Sequence, residues 1–244
     1  MRKTLIAVST ALATLAIGAV PGSAGTAEAP EITDPAGEAN FLSPITGDEE
    51  DTRPVSFDSL DLRAVWFETA YDTNRAVDPE SGEVLSVQYT PTALLVHIKT
   101  EAPVRPFSPF NAVRYKAQAT APDCNASFEL RVFNNPDSDS AEIRRVDPLA
   151  PCGELPSGNI IVSPVKPTFD GTVATLTFPL SHEGVREVIW TGATLSQPSA
   201  HSEASLQSNW IADRTAAGGE FRIGQDVPPN VDCTADPDHT ECQP

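Results

Sequence analysis

Four histidines, thirty-four carboxylates and four cysteines are the groups of this 244-residue chain best suited to chemistry. The histidines, His97, His182, His201 and His239, stand singly in the sequence. His182-Glu183 opens like the H-E-x-x-H motif, in which two histidines one helical turn apart bind zinc and the Glu acts as base. Position 186 is Arg where the second His is needed. There is no G-x-S-x-G nucleophile elbow, P-loop or dinucleotide-binding G-x-G-x-x-G. A hydrolase reading therefore needs a site assembled only by the fold, with one His within reach of a Ser or Asp. Acidic pairs carry no information about a glycosidase centre, because with so many carboxylates they occur everywhere.

Two carboxylates do fall on a suitable loop. Asp34 and Glu38 lie in Ile32-Thr33-Asp34-Pro35-Ala36-Gly37-Glu38, and hard oxygen ligands on a Gly/Pro loop suit Ca²⁺. The same residues also make ordinary turns, and no cofactor is required by the sequence. Among the aromatics, Trp66 and Trp190 sit inside apolar runs and read as core. Trp210, in Ser208-Asn209-Trp210-Ile211, lies beside a polar stretch and is the ring best placed to stack on a sugar or a partner, or to anchor a loop. The Asn125-Ala126-Ser127 sequon is an acceptor only in a host that glycosylates.

The cysteines are Cys124, Cys152, Cys233 and Cys242. An even count in an exported chain reads as two disulfides, and three connectivities are open. The sequence-local pairs Cys124–Cys152 and Cys233–Cys242 are favoured. Zinc would call for closely spaced pairs such as C-x₂-C, which are absent.

Export itself is written in the first residues. Arg2 and Lys3 precede the apolar run Leu5 to Val20, which is short for a membrane span, and small residues follow at Gly22-Ser23-Ala24 and Gly25-Thr26-Ala27. Residues 1–24 read as a signal peptide, so the mature chain is expected to be secreted and extracellular, with no membrane span. The net charge of −18 repels phosphate backbones, which excludes nucleic acid and favours a monodisperse monomer.

The elements that must position any site are strands. The 23 prolines argue against long helices. Residues 25–55, rich in Pro, Gly, Glu and Asp, read as an extended lead-in. From there period-two alternation is clean: Leu85, Val87 and Tyr89; Leu94, Val96 and Ile98, with His97 and Lys99 on the other face; Val113, Tyr115, Ala117 and Ala119; Phe128, Leu130 and Val132. Further strands are expected at 61–68, 141–147, 159–163, 172–178, 187–195 and 220–224. Turns fall at Asp78-Pro79-Glu80-Ser81-Gly82, Asn134-Asn135-Pro136-Asp137 and Asp170-Gly171. Residues 197–219 read as a Ser/Ala/Gln-rich surface loop, and 227–244 as a Pro/Asp-rich tail clipped by its own disulfide. The expected architecture is all-β, a single antiparallel sandwich at 56–226 with about ten short strands and little helix.

Ile32-Thr33-Asp34-Pro35-Ala36-Gly37-Glu38-Ala39-Asn40, Leu60-Asp61-Leu62 and Tyr89-Thr90-Pro91-Thr92-Ala93-Leu94-Leu95-Val96-His97-Ile98 together resemble secreted actinobacterial β-sandwich domains. Those domains are similar to the DOMON and family-9 carbohydrate-binding-module group. Phe178-Pro179-Leu180-Ser181 and Val188-Ile189-Trp190 resemble that group's last strands. The resemblance spans about residues 32–224, with Glu38 where an Asp is commoner. It implies an immunoglobulin-like sandwich that binds a ligand or partner and does no chemistry. Haem-binding members use a Met/His axial pair, which is excluded here because the only Met is Met1. The sequence thus points to a non-catalytic extracellular binding or cell-surface interaction module for a glycan or protein. A carbohydrate-binding module is the alternative, and a secreted hydrolase the third reading.

Overall fold

Alternating apolar residues give a strand one dry face, and two such sheets must bury those faces against each other. The computed structural model describes residues 32–36, 40–42, 49–54, 60–103, 112–121, 124–132, 140–145, 160–205, 209–216 and 218–243. Among these residues the chain is all-β, with every strand pairing antiparallel. One sheet holds β1 (Ile32–Thr33), β4 (Leu62–Val77), β5 (Val84–Thr100), β11 (Val173–Pro179) and β10 (Thr168–Asp170) in that order, and β15 (Val231–Asp232) joins the edge of β5. The other runs β3 (Glu49–Pro54), β2 (Asn40–Leu42), β13 (Asn209–Arg214), β12 (Thr194–Ser205), β6 (Ala112–Ala121), β7 (Cys124–Val132), β8 (Ser140–Arg145) and β9 (Ile160–Val162), with β14 (Glu220–Arg222) also on β12.

The predicted dry faces meet in one cluster. Val65, Phe67, Leu94, Val96, Ile98, Leu176 and Phe178 of the six-stranded sheet pack with Ala117, Ile143, Leu195, Ala200 and Phe221 of the nine-stranded one. Polar side chains then fasten the sheets at one end. Leu62 N donates to Asp213 Oδ2 (2.6 Å), and Ser202 Oγ donates to Leu60 O (2.5 Å). At the other end Thr69 N donates to Asp226 Oδ2 and Gly224 N donates to Thr69 Oγ1.

β4 and β5 form the longest pairing, 16 and 17 residues, and outrun the core. The second edge of β5 is covered by β11 over Ala93–Lys99 and by β15 over Ser86–Val87. Pro91, which lacks a donor, falls in the gap between them and opposite a bulge at Ala70/Tyr71, where its missing N–H costs no ladder bond. The hairpin turns as expected at Asp78-Pro79-Glu80-Ser81-Gly82. Asp78 Oδ1 accepts from Glu80 N and Ser81 N, which holds the Asp78 carboxyl below its ordinary pKa, and Gly82 takes φ +77°. Asp170-Gly171 likewise turns β10 into β11, with Gly171 at φ +58°.

Beyond the core the hairpin is covered by the tail. Cys233–Cys242 form the expected disulfide, and both pack with Val87, Val84, Tyr89 and Val231 in a second small cluster. Cys233 N donates to Leu85 O, and Arg75 pairs with Glu241 at 3.2 Å.

Several expectations need correction. The lead-in contributes β1, β2 and β3, to both sheets, and strands number fifteen among the described residues rather than about ten. The stretch 197–219 is largely strand: β12 continues to Ser205 and β13 follows, because Ala200 and Ser202 are small enough to be buried in a central strand. The expected strand at 187–195 begins only at Thr194. Before it stands a helical turn, α1 (Glu183–Arg186), with Val185, Val188 and Ile189 buried at i, i+3, i+4 spacing. Trp190 is 38% exposed, not core. The turn at 134–137 and Cys152 lie outside the described residues; Cys124 opens β7.

Replacing Asp213 with Ala strands the buried Leu62 N–H, and urea denaturation is expected to show a loss of about 2–3 kcal/mol, most of it restored by Asp213→Asn, whose amide oxygen still accepts. The double change Cys233→Ser, Cys242→Ser removes a cross-link worth up to about 2.7 kcal/mol by chain entropy. Its effect is expected to be local: hydrogen exchange at the amide of residue 233 speeds up while amides of β11 keep their protection.

Candidate functional site

Side chains on the wet face of a central strand are candidates for function, since the core does not dictate them. In the six-stranded sheet the register sets Trp66 of β4 and Thr175 of β11 directly opposite His97 of β5, one on each side. The Trp66 and His97 rings stack, with centroids 4.7 Å apart and planes at 10°. On the other flank His97 Nδ1 and Thr175 Oγ1 share a hydrogen bond of 3.0 Å. Glu68, two residues beyond Trp66 and so on the same face, brings Oε2 to 3.3 Å from His97 Nε2. That approach is short but poorly aligned, because Nε2 has no well-formed hydrogen bond in its buried position.

The Glu68 carboxyl is held below its ordinary range, chiefly by hydrogen bonding toward His97. Burial opposes this, and the charge of His97 reinforces it. At Nδ1 the imidazole and the Thr175 hydroxyl share their hydrogen bond in the direction that the ring tautomer sets. Glu68, His97 and Thr175 thus lie in the order carboxylate, imidazole, hydroxyl, as around an activated nucleophile in hydrolases, but without the aligned Glu68–His97 hydrogen bond of a working relay. The hydrolase reading anticipated a His near Ser or Asp; the partners found are Thr and Glu.

The trio lacks the rest of such a site. β11 is flanked by β5 and β10 at Thr175, so the main-chain donors around its hydroxyl belong to the ladders and none is offered to an oxyanion. On the other side β1 stops at Ile32, which pairs with Val65, one position short of Trp66. Among the described residues no strand partner stands against the far flank of the indole.

The sites expected from sequence fare differently. Asp34 is 7% exposed just after β1, and its N–H donates to Arg63 O. Glu38 lies outside the described residues, and among those described no group of three or more His, Cys, Asp or Glu is placed to hold a metal ion. Trp210 pairs with Ala204 within β13, and its side chain lies outside the described residues. His201 is buried on β12 and His182 precedes α1, while His239 Nδ1 accepts from Glu241 N. A signal for the Trp66 site was present in the alternation: in Val65-Trp66-Phe67-Glu68, the Trp holds a wet-face position shared with Glu68.

A separate cleft of about 590 Å³ lies between the hairpin turn and the tail, bordered by Glu83, Leu85, Thr234 and Pro237. Comparison with protein-family models, curated proteins and solved structures found no match to this chain. Among the described residues no helix is long and apolar enough to cross a membrane.

Because the folded pKa of Glu68 is depressed, its contribution to stability is present above the ordinary value of 4.5 and is lost as pH falls through the folded value. Glu68 is 55% exposed in its side chain, which limits the effect to below about 1 kcal/mol. Thermal melts of wild type and Glu68→Gln are expected to differ at pH 6 and to converge as the pH drops below 4.5.

Proposed function

We propose that this chain is an exported, non-catalytic binding module of the β-sandwich type, and that the wet face around Trp66 and His97 is its recognition surface. The observation that carries the reading is the Trp66–His97 stack. A large ring stacked on an imidazole that Glu68 and Thr175 approach in turn supplies contact area at reduced entropic cost of ordering on binding. A trio with no oxyanion donors favours binding over acyl transfer. The N-terminal pattern supports export, and the resemblance to the DOMON and family-9 carbohydrate-binding-module group supports a ligand-binding sandwich.

A glycan is the second reading, favoured by the half-buried Trp66 indole with a carboxylate two residues away to accept hydroxyls. The acidity of the chain directs that reading to neutral polysaccharides rather than anionic ones. Calcium at Asp34 and Glu38 remains part of the proposal as a stabiliser of the adjoining loop.

Retention on insoluble polysaccharides and on cell wall, measured with calcium and with chelator, tests these readings together. Trp66→Ala is expected to weaken retention at least tenfold while leaving the melting temperature within a few degrees of wild type. Loss of retention with chelator implicates Asp34. Retention that survives Trp66→Ala and fails with Trp210→Ala moves the surface to β13.

A further inference from the structure

Four of the large apolar residues exposed on this molecule fall within ten positions: Ile160 (43%), Val162 (52%), Val165 (37%) and Phe169 (40%). The segment 160–169 contains a single charge, Lys166, in a chain with thirty-four acidic residues. It forms one wall of the sandwich, where β9 ends the nine-stranded sheet and β10 ends the six-stranded one. Ser163 closes this wall, its N–H donating to Ala141 O in one sheet and its hydroxyl to Thr177 O in the other.

The two edges are not equivalent. Pro167 lies immediately before β10 and removes a donor there, the usual protection of an edge strand. β9 has no proline, no charge and, among the described residues, no strand on its outer side. Its main-chain phase follows from its one partner. Ser163 N bonds to Ala141 O, and in the same register Ile161 stands opposite Ile143, so Ile161 turns its N–H and C=O toward β8. Ile160 and Val162 therefore turn theirs outward, and they are also the residues with exposed aliphatic side chains.

We infer that β9 is the contact strand of a symmetric dimer, pairing antiparallel with β9 of a second copy about a twofold axis at Ile161. In that register Ile160 faces Val162 of the second copy as a hydrogen-bonded pair, and Val162 faces its Ile160. The outward main-chain groups of each are then satisfied and aliphatic meets aliphatic on both sides of the axis.

Charge agrees with the same register. Val162 stands beside Glu142 and Ile160 beside Arg144 on β8. The joined sheet thus runs Glu142, Val162, then Ile160 and Arg144 of the second copy, so the Glu142–Arg144 ion pair within each chain (3.6 Å) faces that of the other with opposite ends aligned. A shift of one residue would lose both the hydrogen-bond phase and this complementarity. Two chains of net charge −18 repel at long range, and this wall carries no acidic residue of its own in 160–169 to add to that repulsion.

Sedimentation equilibrium of the purified protein at about 0.15 M salt is expected to show a reversible dimer. Val162→Lys and Ile160→Lys should each raise its dissociation constant at least tenfold with unchanged circular dichroism, whereas Val77→Lys, at an exposed apolar position on the hairpin, should not. Ile161→Cys lies on the axis as a non-hydrogen-bonded pair, so it should give a reducible covalent dimer on a non-reducing gel. A monomer at every concentration up to about 1 mM overturns the inference. So does a dimer indifferent to both Lys variants.

Discussion

The pairing of β4 with β5 is the constraint on which the rest of this molecule depends. Its first half supplies Val65, Phe67, Leu94, Val96 and Ile98 to the core and Trp66, Glu68 and His97 to the opposite face. Because successive side chains alternate, the residues that secure burial also fix the height and spacing of those that meet solvent. A slip of one residue between β4 and β5 would undo core and site together. The distal half, beyond the bulge opposite Pro91, leaves the core and depends on the disulfide-clipped tail for cover. A hairpin this long has apolar residues that the sandwich cannot reach, and the tail covers them.

The two sheets are held by more than apolar area. Burial is non-directional and tolerates sliding, whereas a buried hydrogen bond does not. Asp213 and Ser202 hold the chain at Leu60–Leu62, just where β4 begins, and Thr69 with Asp226 and Gly224 hold its middle. These contacts join residues more than 140 positions apart in sequence. Each of the acceptors or donors involved would be costly if left alone, so they act as registration points between sheets that could otherwise shear.

What could be read from the sequence follows the reach of each signal. Alternation over 85–89 and 94–98 was legible because a half-buried strand imprints its period on adjacent residues. The Asp78 and Asp170 turns were legible because Gly and Asp serve local geometry. The strands at 194–205 and 209–214 were hidden: small polar residues are buried there by neighbours distant in sequence, and no local pattern records that. Val188 and Ile189 fall in the strand expected at 187–195, although with Val185 their spacing fits a helical turn. Trp66 reads as core from its apolar neighbours, and only the register with His97 shows it standing beside a polar partner. The mismatch between a large ring and a wet-face position was the available clue, but it becomes informative only once the face is known.

The same pairing that builds the Trp66 face also limits what it can do. A catalytic centre needs donors aimed at charge that develops during reaction, and these come from strand ends, helix termini and strained loops where main-chain groups are free. The middle of a sheet has none to give: around His97 and Thr175 the ladders on both sides consume them. A stacked ring and a hydrogen-bonded imidazole there are held in place by each other and by Thr175, on strands that support the core. They can meet a ligand at little entropic cost, for they are already held in one arrangement. Full backbone pairing thus gives this face the fixed geometry on which the proposed recognition role rests.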